Sequence, residues 1–100
     1  MTAKIAVRDG SIYLQAEDYE RYFSGLDAVV VLIREGALHI LPVQQLMSGG
    51  HLLKIRNANG DRVISAPDVF AEHDRLDWVA YDLTAQWIAE HGALVCPFTE

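Results

Sequence analysis

The chain has 100 residues, of which 51% are hydrophobic, and its formal net charge is -6 at pH 7. This length and hydrophobic content predict one domain, residues 1–100, with a single core that needs no structural metal or disulfide framework. Cys96 is the single cysteine, and the first four residues lack the apolar stretch of a signal peptide. No run approaches the roughly 18 apolar residues that a membrane span requires. We therefore expect a soluble, cytoplasmic protein.

The charge is distributed unevenly along the chain. Residues 1–65 contain seven basic and seven acidic residues, whereas residues 66–100 contain one basic residue, Arg75, and seven acidic ones. The C-terminal third therefore carries the whole net charge. This asymmetry favours separate interaction surfaces, although a merely solvated acidic face is the alternative.

The first segment, residues 4–14, predicts a β-hairpin. Apolar residues alternate on both sides of Asp9-Gly10, a pair typical of a two-residue type I′ turn. Such a turn pairs Val7 with Ile12 and Ile5 with Leu14, which places all four side chains on one face.

A short helix is predicted to follow over residues 16–23. Tyr19, Tyr22, Phe23 and Leu26 recur at the spacing of one helical face, and Gly25 is a plausible C-terminal stop.

The next hairpin is predicted from residues 28–34 and 37–41, with the reversal at Glu35-Gly36. Residues 29–33 are apolar at every position, which is typical of a strand buried on both faces, so we expect this to be the central strand. Pro42 cannot donate a ladder hydrogen bond and is expected to close the second strand. Residues 43–50 are then a connecting loop, with Gly49-Gly50 as its most mobile point.

A third hairpin is predicted from residues 52–56 and 61–65. A three-residue loop, 58–60, with Gly60 in the left-handed conformation pairs Ile55 with Val63 and Arg56 with Arg62, whereas a two-residue loop mixes charged and apolar groups on each face. We prefer the three-residue loop. It gathers Lys54, Arg56 and Arg62 on one exposed basic surface, which we predict meets an acidic group within the chain or on a partner.

The C-terminal third predicts two helices. Ser65 is a candidate cap for a short helix beginning at Pro67, with Asp68 in the capping-box position. Asp77 is a candidate cap for a second helix over residues 78–91, which Gly92 ends. Residues 93–98 are predicted to form a last short strand or an extended tail.

The second predicted helix has two apolar stripes on a helical wheel. One contains Val79, Leu83 and Trp87. An ordinary surface helix has one such stripe, so the second is predicted to form an interface, most simply in a homodimer, unless residues 93–100 fold back and cover it. The residues of this candidate interface are Trp78, Tyr81, Ala85 and Ile88.

No motif with known chemistry is present. Cys96 lies in an apolar context, which raises a thiol pKa and indicates a buried structural cysteine. The four histidines lack the spacing of a metalloprotease or of a structural zinc site. There is no glycine-rich phosphate loop and no nucleophile elbow. The sequence therefore predicts no catalytic, cofactor-binding or metal-binding residues.

Residues 5–43 form a hairpin, a short helix and a second strand pair that ends in Leu-His-Ile-Leu-Pro-Val. This order resembles the AbrB-type swapped-hairpin DNA-binding domains. The resemblance implies dimerisation and DNA contacts, with Arg8 and Arg34 as the basic positions. Residues 1–65 are electrically neutral overall, which makes nucleic acid an unlikely partner.

These observations predict an α+β domain. We expect a mainly antiparallel sheet of about six strands, built from consecutive β-hairpins, with one short helix after the first hairpin and C-terminal helices packed on the sheet. The expected function is that of a small non-catalytic accessory or adaptor protein that binds another protein or itself. An AbrB-like DNA-binding regulator and a small enzyme without a recognisable motif are the alternatives.

Overall fold

The computed structural model describes residues 1–43 and 50–98. Within these ranges the chain forms nine β-strands and two short helices. The strands are β1 (Thr2–Arg8), β2 (Ser11–Leu14), β3 (Ala28–Arg34), β4 (Ala37–Val43), β5 (His51–Leu52), β6 (Lys54–Ile55), β7 (Arg62–Ser65), β8 (Ala80–Ile88) and β9 (Ala93–Pro97), and the helices are α1 (Ala16–Phe23) and α2 (Pro67–Glu72).

The strands form one antiparallel sheet that curls into a nearly closed barrel. Their order is β5-β3-β4-β9-β8-β1-β2-β7-β6. The two edge strands, β5 and β6, are consecutive in the chain and are joined by a single residue, Leu53. The Leu53 amide donates a hydrogen bond to the carbonyl oxygen of Asp27 (2.8 Å). The chain therefore passes from one edge of the sheet to the other at Leu53, which brings the two edges together.

The core lies inside this barrel. Because successive side chains of a strand point to opposite faces, every second residue of the main strands faces inward. Phe23 of α1 and Phe70 of α2 add fully buried aromatic rings to the same core. The inward residues of the strands are Ala3, Ile5, Val7, Ile12, Leu14, Val29, Val31, Leu38, Ile40, Ile64, Leu83, Ala85, Leu94 and Cys96.

The first hairpin and the helix after it were predicted correctly. Val7 lies opposite Ile12 and Ile5 opposite Leu14, as the Asp9-Gly10 turn requires. Helix α1 spans the predicted residues and buries Tyr19 and Phe23.

The second hairpin is confirmed, with two corrections. Arg34 pairs with Ala37 around the predicted turn. Strand β3 is not central, because it lies next to the two-residue edge strand β5, and its outward residue Leu32 is 38% exposed. Pro42 does not end β4, which continues to Val43. Most of the predicted loop over residues 43–50 lies outside the described residues.

The register predicted for the third hairpin is wrong. Ile55 pairs with Arg62 and Lys54 with Val63, around a four-residue loop over 57–60. Gly60 does have the expected positive φ, at 88°. The predicted first strand divides at Leu53, and its first part, β5, pairs with β3 instead. Closing the barrel requires this division, which the local pairing pattern does not reveal.

The predicted packing of C-terminal helices on the sheet is also wrong. Helix α2 forms, but its N-cap is Ala66 rather than Ser65, without a side-chain cap. The predicted helix over residues 78–91 is instead largely strand β8, which pairs with β1 and β9. Leu83 and Ala85 face inward, while Thr84 and Gln86 face outward. The apolar pattern therefore has the period of a strand, and the fold is a β-barrel with two short helices.

The tip of the first hairpin packs against the start of α2. The Gly10 carbonyl oxygen accepts a hydrogen bond from the Ala66 amide (2.9 Å). A Cβ atom on Gly10 would lie 2.8 Å from the Cα of Pro67. This contact fixes the position of α2 over one end of the barrel.

Within residues 1–43 and 50–98, neither helix is long or apolar enough to cross a membrane.

Comparing substitutions at Gly10 and Gly36 separates the effect of the contact between Gly10 and Pro67 from the effect of backbone strain. Gly10 and Gly36 hold the same place in their turns, with φ of 73° and 72°, but a Cβ on Gly36 would meet nothing within 4 Å. We expect Gly36→Ala to lower the free energy of unfolding by about 1 kcal/mol through strain alone. Gly10→Ala adds a clash and should cost about 2 kcal/mol more. Urea denaturation measures both, and equal losses would contradict the packing of Gly10 on Pro67.

Strand β8 is tested by adjacent substitutions. Ala85 is fully buried, whereas its neighbour Thr84 is exposed. Ala85→Gln places an amide in the core and should cost about 3 kcal/mol or more, whereas Thr84→Gln should cost less than about 1 kcal/mol. Thermal unfolding followed by circular dichroism measures the difference. Similar losses at the two positions would contradict the alternation.

Candidate functional site: the Tyr13 cleft

The outer face of the barrel carries a cleft of about 210 Å³, which we call the Tyr13 cleft. It lies across β8, β1 and β2 and extends to the loop between β6 and β7. This volume suits one or two amino-acid side chains better than a large cofactor, since cofactor and drug sites usually exceed about 300 Å³. The lining residues are Lys4, Ile5, Ala6, Tyr13, Leu14, Gln15, Arg56, Asp61, Tyr81 and Asp82.

Ala6 lines the cleft opposite a β-bulge in β8. Ile5 pairs with Leu83 and Val7 pairs with Ala80, so Tyr81 and Asp82 together oppose the single residue Ala6. Asp82 adopts a φ of 57°, which an aspartate tolerates better than most residues. The bulge leaves the Tyr81 side chain 64% exposed beside the cleft, while Tyr13, the partner of Ala6 on β2, lies on its other side.

Two arginines stack on Tyr13. The guanidinium carbon of Arg56 lies 4.7 Å from the Tyr13 ring centroid, and that of Arg8 lies 5.1 Å away. Arg8 also donates a hydrogen bond to the Tyr13 hydroxyl (3.2 Å). Because both distances refer to the same ring, the two cations lie within about 10 Å of each other. Arg8 is also paired with the Asp9 carboxylate (3.9 Å), so Tyr13 holds two guanidinium groups on the outer surface, one of which has an ion-pair partner.

Asp61 holds the loop that carries Arg56. Its carboxylate accepts hydrogen bonds from the Ala16 amide (2.8 Å) and from Nδ2 of Asn57 (3.0 Å). The Arg56 amide donates to the Asp61 carbonyl oxygen (2.7 Å). The side chain of Asp61 thus connects the start of α1 to the turn after β6 and positions Arg56 over Tyr13.

The pKa shifts follow from these hydrogen bonds. The bond from Asn57, together with that from Ala16, holds the pKa of Asp61 below its ordinary value. The hydrogen bond to Tyr13 raises the pKa of Arg8, and Tyr81 acts in the same direction. At neutral pH the cleft therefore presents a charged Asp61 and a charged Arg8 beside it.

The structure separates the residues of the predicted basic surface. Lys54 and Arg56 alternate with Ile55, so they share the outer face with Val63 and Tyr13. Arg62 pairs with Ile55 on the other face, where its guanidinium lies 3.8 Å from the Tyr19 ring centroid. Among the described residues, no carboxylate lies within 4.0 Å of the charged nitrogen atoms of Lys54, Arg56 or Arg62. That this surface binds an acidic group stays a prediction, now limited to Arg56 and Lys54.

The four residues of the predicted interface helix also separate, because the segment is a strand. Ala85 is buried inside the barrel, and Ile88 is half-buried at the end of β8. Trp78 precedes β8 and packs edge-on against Phe98, with ring centroids 4.7 Å apart. Tyr81 alone belongs to the cleft. The helical surface on which the homodimer prediction rested is absent.

Arg8 and Arg34, the basic positions that the AbrB resemblance implied, lie on β1 and β3, four strands apart in the sheet order.

The cysteine and histidines lie outside the cleft. Cys96 is buried, and burial raises the pKa of its thiol. His39 and His91 form an edge-to-face pair with ring centroids 5.8 Å apart. His51 lies 3.3 Å from Asp68. Within residues 1–43 and 50–98, no three of the side chains that commonly ligate metals come together.

Comparison with known proteins finds no match: no family model, curated protein or solved structure corresponds to the chain. The cleft itself is therefore the basis for a functional argument. Its exposed tyrosine, its stacked arginine and its charges of both signs form a surface suited to binding.

Sequence reasoning named Arg56 and, as part of a predicted helix, Tyr81, but missed Tyr13, Ala6 and Asp82. Tyr13 lies within the predicted first hairpin, for which the sequence predicted only the apolar face. A signal was present in Tyr81-Asp82, because these two residues interrupt the alternation that begins at Leu83. Such an interruption is typical of a bulge, and bulges are frequent beside functional sites.

Asp61 allows a test by pH. Because its folded-state pKa is depressed, its contribution to stability is present above the unfolded-state pKa of about 3.9 and is lost as pH falls through the folded value. We expect Asp61→Asn to be less stable than the native protein at pH 6, with the difference shrinking as pH falls below about 4. Urea midpoints between pH 2 and pH 6 measure this. A difference that is constant with pH would contradict the role of the carboxylate.

Proposed function

We propose that this protein is a non-catalytic accessory protein that binds a segment of another protein in the Tyr13 cleft. The observation that carries the proposal is the stacking of Arg56 and Arg8 on Tyr13 at an exposed surface. Tyrosine and arginine, with tryptophan, are enriched among the residues that dominate the binding energy of protein interfaces. Stacking also orients the guanidinium before a partner arrives, which reduces the entropy lost on binding.

The shape of the cleft supports a peptide segment as the ligand. It is shallow enough to lie open at the surface and large enough for one or two side chains. Tyr81, at 64% exposure, supplies an aromatic surface that a partner can cover. The proposal places the protein in the cytoplasm, where the buried thiol of Cys96 stays reduced.

Site-specific photo-crosslinking in the native host tests the proposal. A benzoylphenylalanine in place of Tyr81 should give a discrete crosslinked product with a partner protein. The further change Arg56→Ala should reduce that product at least about fivefold, since it removes the oriented cation. The same probe in place of Leu32, on the outer surface of β3 and three strands from β8, serves as the control.

A product from position 81 that depends on Arg56 and is absent from position 32 supports the proposal. A product of twice the mass of the chain identifies the partner as a second copy and makes the interaction self-association. No product from position 81, or the same product from both positions, would show the proposal to be wrong.

A further inference from the structure

We infer that the Tyr13 cleft recognises an extended peptide segment carrying one acidic and one basic side chain two positions apart. The inference rests on the proposed function, since it names the chemistry of the segment that the cleft binds. It follows from which charged groups in the cleft already have partners and which do not.

Four charged residues line the cleft, and two of them are engaged within the chain. The Nζ atom of Lys4 donates a hydrogen bond to Oγ1 of Thr84 (2.9 Å). Asp61 accepts the hydrogen bonds from Ala16 and Asn57 described above. These hydrogen bonds hold the two side chains against the cleft walls, and because their partners are neutral, Lys4 and Asp61 keep their charges.

Arg56 and Asp82 are the other two. In the part of the chain that the structure describes, Arg56 has no carboxylate within 4.0 Å, and its guanidinium contacts the Tyr13 ring. Over the same residues, Asp82 has neither a side-chain hydrogen bond nor an ion pair, and the bulge places it at the edge of the cleft. Arg56 and Asp82 are thus the two charged side chains of the cleft without a hydrogen-bond or ion-pair partner among the described residues, and they lie on either side of the small residue Ala6, while Asp61 acts on Arg56 at longer range.

The distance between the two charges fits an extended peptide. The Arg56 guanidinium lies over Tyr13 on β2, and Asp82 lies on β8, with β1 between them. Neighbouring strands are about 4.8 Å apart, so β2 and β8, which carry Tyr13 and Asp82, lie about 10 Å apart. Side chains at i and i+2 of an extended peptide are about 7 Å apart, and the length of glutamate and lysine side chains covers the remainder.

The small side chain of Ala6 permits the backbone of the peptide to pass between Tyr13 and Tyr81. The peptide side chain at i+1 then points away from the barrel, so the cleft does not discriminate between residue types at that position. A segment with two acidic side chains would place one of them against Asp82, and a segment with two basic side chains would place one against Arg56. Either arrangement loses affinity through repulsion between like charges.

Four blocked heptapeptides test the inference. They share one length and differ only in a central Glu-Ser-Lys, Lys-Ser-Glu, Glu-Ser-Glu or Lys-Ser-Lys. Titration at low salt, followed through the amide signals of Ala6 and Tyr81 in nuclear magnetic resonance spectra, gives the dissociation constants. We expect at least one mixed-charge peptide to bind about fivefold or more tightly than both like-charge peptides. The preference should weaken as salt is added.

Two conservative variants test whether Asp82 and Arg56 cause the preference for mixed-charge peptides. Asp82→Asn keeps a side chain that tolerates positive φ and should remove the penalty on Glu-Ser-Glu. Arg56→Gln should remove the penalty on Lys-Ser-Lys. Glu90→Gln, in the turn between β8 and β9 and outside the cleft, is the matched control and should leave all four constants unchanged.

The outcomes separate this inference from the proposed function. Equal binding of all four peptides, or no binding by any, would overturn the inference. If the crosslink from position 81 nevertheless depends on Arg56, the protein still binds a protein segment in the Tyr13 cleft, and that segment lacks the predicted pair of charges. Charge-dependent binding that Asp82→Asn and Arg56→Gln leave unchanged would also overturn the inference, because the selection would lie elsewhere.

Discussion

The passage of the chain through Leu53 is the constraint on which the barrel depends. A nine-stranded antiparallel sheet with free edges would expose one face of its apolar residues to water, whereas curling the sheet lets both halves of that face bury each other. Leu53 joins the two edge strands directly, is nearly fully buried, and is held by its hydrogen bond to Asp27. Buried side chains form one core in the interior, and the cleft on the outer surface lies beside the bulge opposite Ala6.

The parts of the fold that depend on neighbouring residues could be predicted from the sequence. The first two hairpins follow from a turn pair with its flanking alternation, and α1 follows from its helical periodicity. Residues 78–91 were misread because apolar residues are dense enough there to match a helical wheel, although residues 82–87 alternate strictly between polar and apolar. Pairing with β1 and β9 decided the outcome, and the main partner, β1, lies at the other end of the sequence, where neighbouring residues of β8 give no sign of it.

The cleft could not be predicted because its residues come from three distant parts of the chain. Tyr13 and Arg56 meet only after β7 pairs with β2, and Asp82 joins them only after β8 pairs with β1. The sequence identified Arg56 through its basic neighbours, but the wrong loop length grouped it with Arg62. A shift of one residue in register moves a side chain to the opposite face, so the predicted surface changed its composition.

The pairing of β1 with β8 also sets the order in which the molecule can assemble. Residues 2–7 hydrogen-bond with residues 80–86, so almost the whole length of the chain separates the partners. Contacts of such high sequence separation slow folding, because the entropy of closing a long loop is lost before the contacts form. On a ribosome, the first hairpin emerges before β8, and the edge of β1 stays unpaired until β8 has been synthesised. During that interval its apolar face and its unpaired edge favour aggregation.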